Sequence, residues 1–132
     1  MPKANQIYHK RELEKGFYYA QTAKAGNTLY ISGCVSWDAD GNIIGEGDFK
    51  AQITAVYTDL KETLEANGAS FQNVMKETVF TTDMDALEEH NDIRTQFYTD
   101  AGSAPPASTW IGCSCLAAPE LMIEVECIAV VG

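Results

Sequence analysis

Positive charge is scarce in this chain. Nine Lys and Arg stand against nineteen Asp and Glu, a formal charge of -10 over 132 residues. Phosphate neutralisation therefore cannot supply general nucleic-acid affinity, and an anionic membrane surface would repel the protein. Only Arg11 and Arg94 can offer a planar fork to a carboxylate. No apolar run approaches the roughly 20 residues of a spanning helix. The N-terminal MPKANQIYHKRELEKG has no apolar signal core, so a soluble, cytoplasmic protein is expected. Two His and four Cys are present without a CxxC pair at metal-ligand spacing, so neither a metal nor another cofactor is expected. Cys34, Cys113, Cys115 and Cys127 fall in apolar, strand-like segments and read as reduced thiols rather than as a disulfide frame.

What remains is enough for a core. The chain is 45% apolar and 10% aromatic, and its length fits one domain over residues 1–132. FYYAQTAKA and TLYISGCVS, joined by Gly26-Asn27, predict a β-hairpin. From Asp48 to Ala66, Ile53, Val56, Tyr57, Leu60 and Leu64 recur at helical spacing, with Asp48 as N-cap and Gly68 beyond the C-terminus. Val74 to Thr82 predicts a strand, and Asp85-Ala86-Leu87-Glu88 opens a second helix running to about Tyr98. ASTWIGCSC and LMIEVECIAVV predict two closing strands. The order ββαβαββ implies an α+β sheet with two helices on one face, and the bare apolar face implies a partner.

In Leu121 to Val131, period-two alternation sets Met122, Glu124, Glu126, Ile128 and Val130 on one face. Two carboxylates on so apolar a strand are costly unless they reach water, a partner or a polar cleft, so either one is exposed at the sheet end and the other paired at an interface, or one is a general acid or base. Tyr30, Ser32 and Cys34 are expected to share a strand face. No nucleophile motif connects a Ser or Cys with His9 or His90, and His90, with Ile93 and Phe97, reads as a packed histidine. Cys113 and Cys115 are expected to share a strand face, packing as small apolar groups. Trp110 would floor a pocket or fill the core. Asn91 and Arg94 are surface neighbours on the second helix. Arg11, in KRELEK, is expected to be solvated.

Together, NTLYISGCVS, LEANGAS, VMKETVFTTDMDALEEHNDIRTQFY, PPASTW and LMIEVECIAVV resemble the reactive-intermediate deaminase (Rid, YjgF-like) family over residues 16–131. The resemblance implies a chorismate-mutase-like fold and a homotrimer whose sheets form a central barrel. It also implies intersubunit clefts for a small-molecule ligand, in which active members hydrolyse enamines or imines to carbonyl compounds and ammonia without cofactor. It places the cleft residues at Tyr19, Ser32, Gly33, Asn91 and Glu124. Glu124 would activate water, with Glu126 as the fallback base. One position departs from the pattern: the arginine that grips the substrate carboxylate is replaced by Ser108, and the cysteine two residues on by Trp110. A larger, flatter or less carboxylate-dependent ligand, such as an aminomuconate-like amine, is then expected. If a carboxylate is retained, Arg94 is the replacement anchor. The competing expectation is a non-catalytic trimer that binds a metabolite or protein partner in the same clefts.

Overall fold

The computed structural model describes residues 6–132. Its elements follow in the order β1 (Gln6–Tyr8), α1 (Glu12–Phe17), β2 (Thr22–Ala25), β3 (Thr28–Val35), α2 (Phe49–Ala66), β4 (Val74–Thr81), α3 (Met84–Glu89), α4 (Asn91–Asp100), β5 (Ala107–Gly112) and β6 (Ile123–Val130). The strands form one sheet in the order β1-β2-β3-β6-β4-β5. All neighbours are antiparallel except β4 and β5, whose parallel pairing requires the crossover that α3 and α4 provide. This is the α+β arrangement that the order of elements predicts, and it agrees with the chorismate-mutase-like fold that the resemblance implies.

Burial follows strand parity. Ile123, Val125, Cys127 and Ala129 of β6 are buried with Ile53, Val56, Leu60 and Leu64 of α2, whereas the even positions of β6 point to the other face. The helices thus cover one side, because the apolar stripe of α2 matches the odd residues of the central strand. Asp48 caps α2 by accepting from the Ala51 N–H at 3.1 Å. Beyond Asn67 the backbone turns left-handed at Gly68, φ 73°, a conformation that glycine adopts without Cβ strain.

Four local expectations are corrected. β1 and α1 precede the predicted hairpin, and Phe17 belongs to α1 rather than to a strand. Glu14 builds α1 by accepting from the Lys10 and Arg11 backbone N–H groups, each at 3.0 Å. Arg11 is half-buried and paired rather than solvated: its guanidinium donates to the Trp37 and Asp38 carbonyls and to Asp59, tying α1 to α2. The second predicted helix is split at His90 into α3 and α4, and its cap is Asp83, whose carboxylate accepts from Ala86 N–H at 3.0 Å. The His90 ring lies 5.6 Å from that of Phe49, so this histidine is packed as expected. β5 stops at Gly112 because its partner β4 stops at Thr81. Cys113 and Cys115 therefore lie in the loop beyond, with Cys115 exposed, and do not share a strand face. All four cysteines are free thiols.

Candidate functional site

The side chains expected at the site fall into two groups on different parts of the sheet. The first surrounds an irregularity in β3. Between the pairs Ile31↔Cys127 and Cys34↔Val125, two residues of β3 oppose one of β6, so Ser32 and Gly33 form a β-bulge opposite Glu126. The extra residue reverses the parity. Cys34 is buried on the helix side with Ile31, while Tyr30 is 49% exposed on the other, which corrects the expectation that Tyr30, Ser32 and Cys34 share a face.

The bulge opens a hollow of about 420 Å³ lined by Tyr19, Ser32, Gly33, Trp37 and Glu124 among others. Ser32 is fixed there by donating its hydroxyl to the Ala20 carbonyl at 2.7 Å. At Gly33 there is no room for a side chain: a Cβ would lie 2.0 Å from Glu124 Oε2. The missing methyl allows the carboxylate to rest against the strand backbone. Burial raises the pKa of Glu124 from its ordinary value, and the neighbouring charge of Glu126 adds to the shift. A basic carboxylate half-withdrawn from water is suited to taking a proton from a bound water. Tyr19 borders the same hollow, and its phenol is made less acidic by burial and then by Glu14. A second hollow of similar size shares Tyr19 and is lined by Ile7, His9, Lys15, Tyr18 and Ala20, without Glu124.

The second group lies toward the β5 edge of the sheet, among β4, β5 and α4. Its centre is Glu77, which sequence reasoning missed. Glu77 is 0% exposed and its carboxylate accepts four donors. Tyr57 and Tyr98 donate their hydroxyls to Oε1 at 3.0 and 2.8 Å. Arg94 Nε and the Ser108 hydroxyl donate to Oε2, the latter at 2.7 Å. Arg94 also donates through Nη1 to Asn91 Oδ1 at 3.3 Å. Its guanidinium carbon lies 5.5 Å from the Tyr98 ring and 6.0 Å from the Trp110 ring. The expected surface arginine is thus a buried, ion-paired one. Burial works against the charged guanidinium, but the adjoining Glu77 and Tyr57 outweigh it and raise the pKa of Arg94. Burial raises both tyrosine hydroxyls well above their usual range, Cys127 and Glu77 adding for Tyr98, and Glu77 and Tyr98 for Tyr57; both therefore remain donors.

A strand signal for Glu77 was available, because it has the same parity as the buried Val79 and Thr81. Trp110 is partly buried against the core rather than flooring the hollow at Glu124. Asn91, Arg94, Ser108 and Trp110 are therefore gathered together, as are Tyr19, Ser32, Gly33 and Glu124, but no hydrogen bond among the described residues joins the two groups. Among the described residues, no cluster of three His, Cys, Asp or Glu side chains is placed to hold a metal ion. No helix there is long and apolar enough to cross a membrane.

The chain is similar in sequence and fold to known proteins. The Endoribonuclease L-PSP family model matches residues 10–131. A RutC family protein of Pyrococcus horikoshii is 35% identical, with 84% of this chain and 85% of the relative covered. A 2-iminobutanoate/2-iminopropanoate deaminase of Dermatophagoides farinae is 27% identical, covering 86% and 85%. Among solved structures, the Yersinia pestis Rid-family protein YyfA superimposes with a TM-score of 0.79 at 26% identity, over 86% of this chain and 87% of that one. The E. coli TdcF structure, which contains bound serine, gives 0.79 at 25%, over 86% and 88%. The chain belongs to the Endoribonuclease L-PSP family, the Rid or YjgF-like proteins.

Proposed function

We propose that the protein hydrolytically cleaves the C–N bond of a small enamine, imine or aromatic-derived amine in clefts formed between copies of the chain, releasing ammonia, an enamine or amine reacting through its imine tautomer. The observation that carries this reading is Glu124, a carboxylate with a raised pKa in a hollow beside Tyr19, Ser32 and Gly33. In the reaction, Glu124 takes a proton from water as the oxygen bonds to the C=N carbon. The carboxylic acid returns that proton to the nitrogen to give the aminocarbinol, and Glu124 then carries the carbinol hydroxyl proton to the nitrogen as the C–N bond breaks, so that imine and water become ketone and ammonia. Tyr19 and the Gly33 backbone orient the substrate next to Glu124. Asn91, Arg94, Ser108 and Trp110 of a neighbouring copy receive its other end. The named activity of the mite relative, a 2-iminobutanoate/2-iminopropanoate deaminase, supports this chemistry. Trp110 and the absence of an arginine at Ser108 favour a flatter ligand of the aminomuconate-like kind.

Closing a cleft from two copies requires self-association. Tyr30, Ile128 and Val130 are exposed on the helix-free face, where Tyr30 and Ile128 are cross-strand partners. Such a patch is better buried than wet. Sedimentation at micromolar concentration should give a particle of three chains, and a single 14.4 kDa species would contradict the cleft. Gly33→Ala should lower turnover by about a hundredfold, because the new methyl displaces Glu124; ammonia release with a melting curve as the folding control checks it.

The decisive experiment is ammonia release across a panel of freshly generated imines and aminomuconate-like compounds. Release from any of them supports hydrolysis. Tight binding without release favours the second reading, a non-catalytic metabolite-binding trimer, whose specific support is the Glu77 carboxylate that balances the charge of Arg94. RNA cleavage has little support, since a chain of charge -10 provides few cations for phosphates.

A further inference from the structure

The buried carboxylate of Glu77 takes no part in activating water, yet it has more side-chain partners than Glu124. An ionised carboxylate only accepts, and Tyr57, Tyr98, Arg94 and Ser108 present four donors to it. Arg94 is positioned by that carboxylate on one side and by Asn91 on the other, and its side chain is 11% exposed. Ser108 is exposed on the edge strand β5, and Trp110 is partly buried on the same strand side. The rim of this half-site therefore consists of a hydroxyl, an indole, an amide and a guanidinium whose charge is cancelled by a carboxylate in direct contact. An unbalanced guanidinium attracts carboxylates strongly. A balanced one retains its N–H donors and loses most of the attraction, and an incoming carboxylate also meets the charge of Glu77.

We propose that Glu77 determines the charge preference of the half-site formed by Asn91, Arg94, Ser108 and Trp110, favouring a ligand whose end there is uncharged and polar, such as an amide or ring carbonyl, over a carboxylate. This rests on the reading that the ligand's far end lies in this half-site. Glu77 is a positioning residue that acts through Arg94, and substrate class follows from the pair rather than from the guanidinium alone.

The test is titration calorimetry of the full-length protein with 2-oxobutanoate and with its uncharged amide, 2-oxobutanamide. The wild type should bind the amide at least as tightly as the carboxylate. Glu77→Gln keeps the shape, and the tyrosine hydroxyls can turn to accept from the new amide. It should strengthen carboxylate binding about tenfold or more while leaving the amide within about threefold. The double variant Glu77→Gln/Arg94→Gln removes both buried charges and serves if the single variant does not fold; it should retain the wild-type preference. Tenfold tighter binding of the carboxylate to the wild type would overturn the proposal. So would selective loss of carboxylate binding in the double variant, or failure of every protein to bind either probe. Calorimetry does not read turnover, so failure of the separate ammonia-release assay would refute hydrolysis and leave the role of Glu77 standing if the predicted preference is found.

Discussion

Glu77→Ala is expected to destabilise the fold by about 3–5 kcal/mol, the range for removing one partner of a buried ion pair. The size follows from what is left behind. Arg94 loses its counter-charge in a site where its side chain is 11% exposed, and the hydroxyls of Tyr57 and Tyr98 lose the acceptor they share. Water cannot readily replace a carboxylate whose residue is 0% exposed. Replacing both Glu77 and Arg94 by Met should recover much of the loss, because an apolar pair leaves no unpaired charge. Urea denaturation followed by circular dichroism checks both outcomes. A loss below about 1 kcal/mol for Glu77→Ala would place the ion pair among ordinary surface pairs.

The same residue shows how far sequence could be read. The alternation in Ile123 to Val130 separates a helix-covered face from a bare one because β6 is a regular central strand. That parity placed Glu124 on the bare face, and the same rule applied to Val74 to Thr81 points Glu77 into the core. Its partners could not be read: Tyr57, Arg94 and Ser108 come from α2, α4 and β5, and only the packing of the helices on the sheet brings them together. The bulge at Ser32 and Gly33 left one local trace, a glycine inside a strand pattern, but its two-to-one register depends on where β6 pairs. α1 escaped notice because Arg11 is a poor capping residue and the reciprocal contact is made by Glu14. Its burial depends on Asp59, which is 48 residues away. Strand ends are not legible where pairing sets them, as at Gly112, since ladder length is a property of two strands.

Glu124→Gln is the other substitution with a large expected effect. Removing a general base costs about 10²–10⁴-fold in rate, and glutamine preserves the shape against Gly33 while being unable to accept a proton from water. The pH dependence has a definite sign. Burial, then Glu126, raises the pKa of Glu124, so the working carboxylate form is present above that raised value and is lost as pH falls through it. The acid limb of kcat should accordingly lie above the pKa of a free glutamate. Glu126→Gln removes the like charge and should move that limb to lower pH without abolishing turnover. If Glu126→Gln is the inactive variant, the two carboxylates have exchanged roles.

The central claim, that Glu124 activates water for C=N hydrolysis, is tested most directly by measuring ammonia release at neutral pH from the same freshly generated imine with wild-type protein and Glu124→Gln at equal concentration. The account predicts release well above the uncatalysed rate for the wild type and a fall of about a hundredfold or more for the variant, with unchanged melting behaviour. Equal release by the two folded proteins would contradict it.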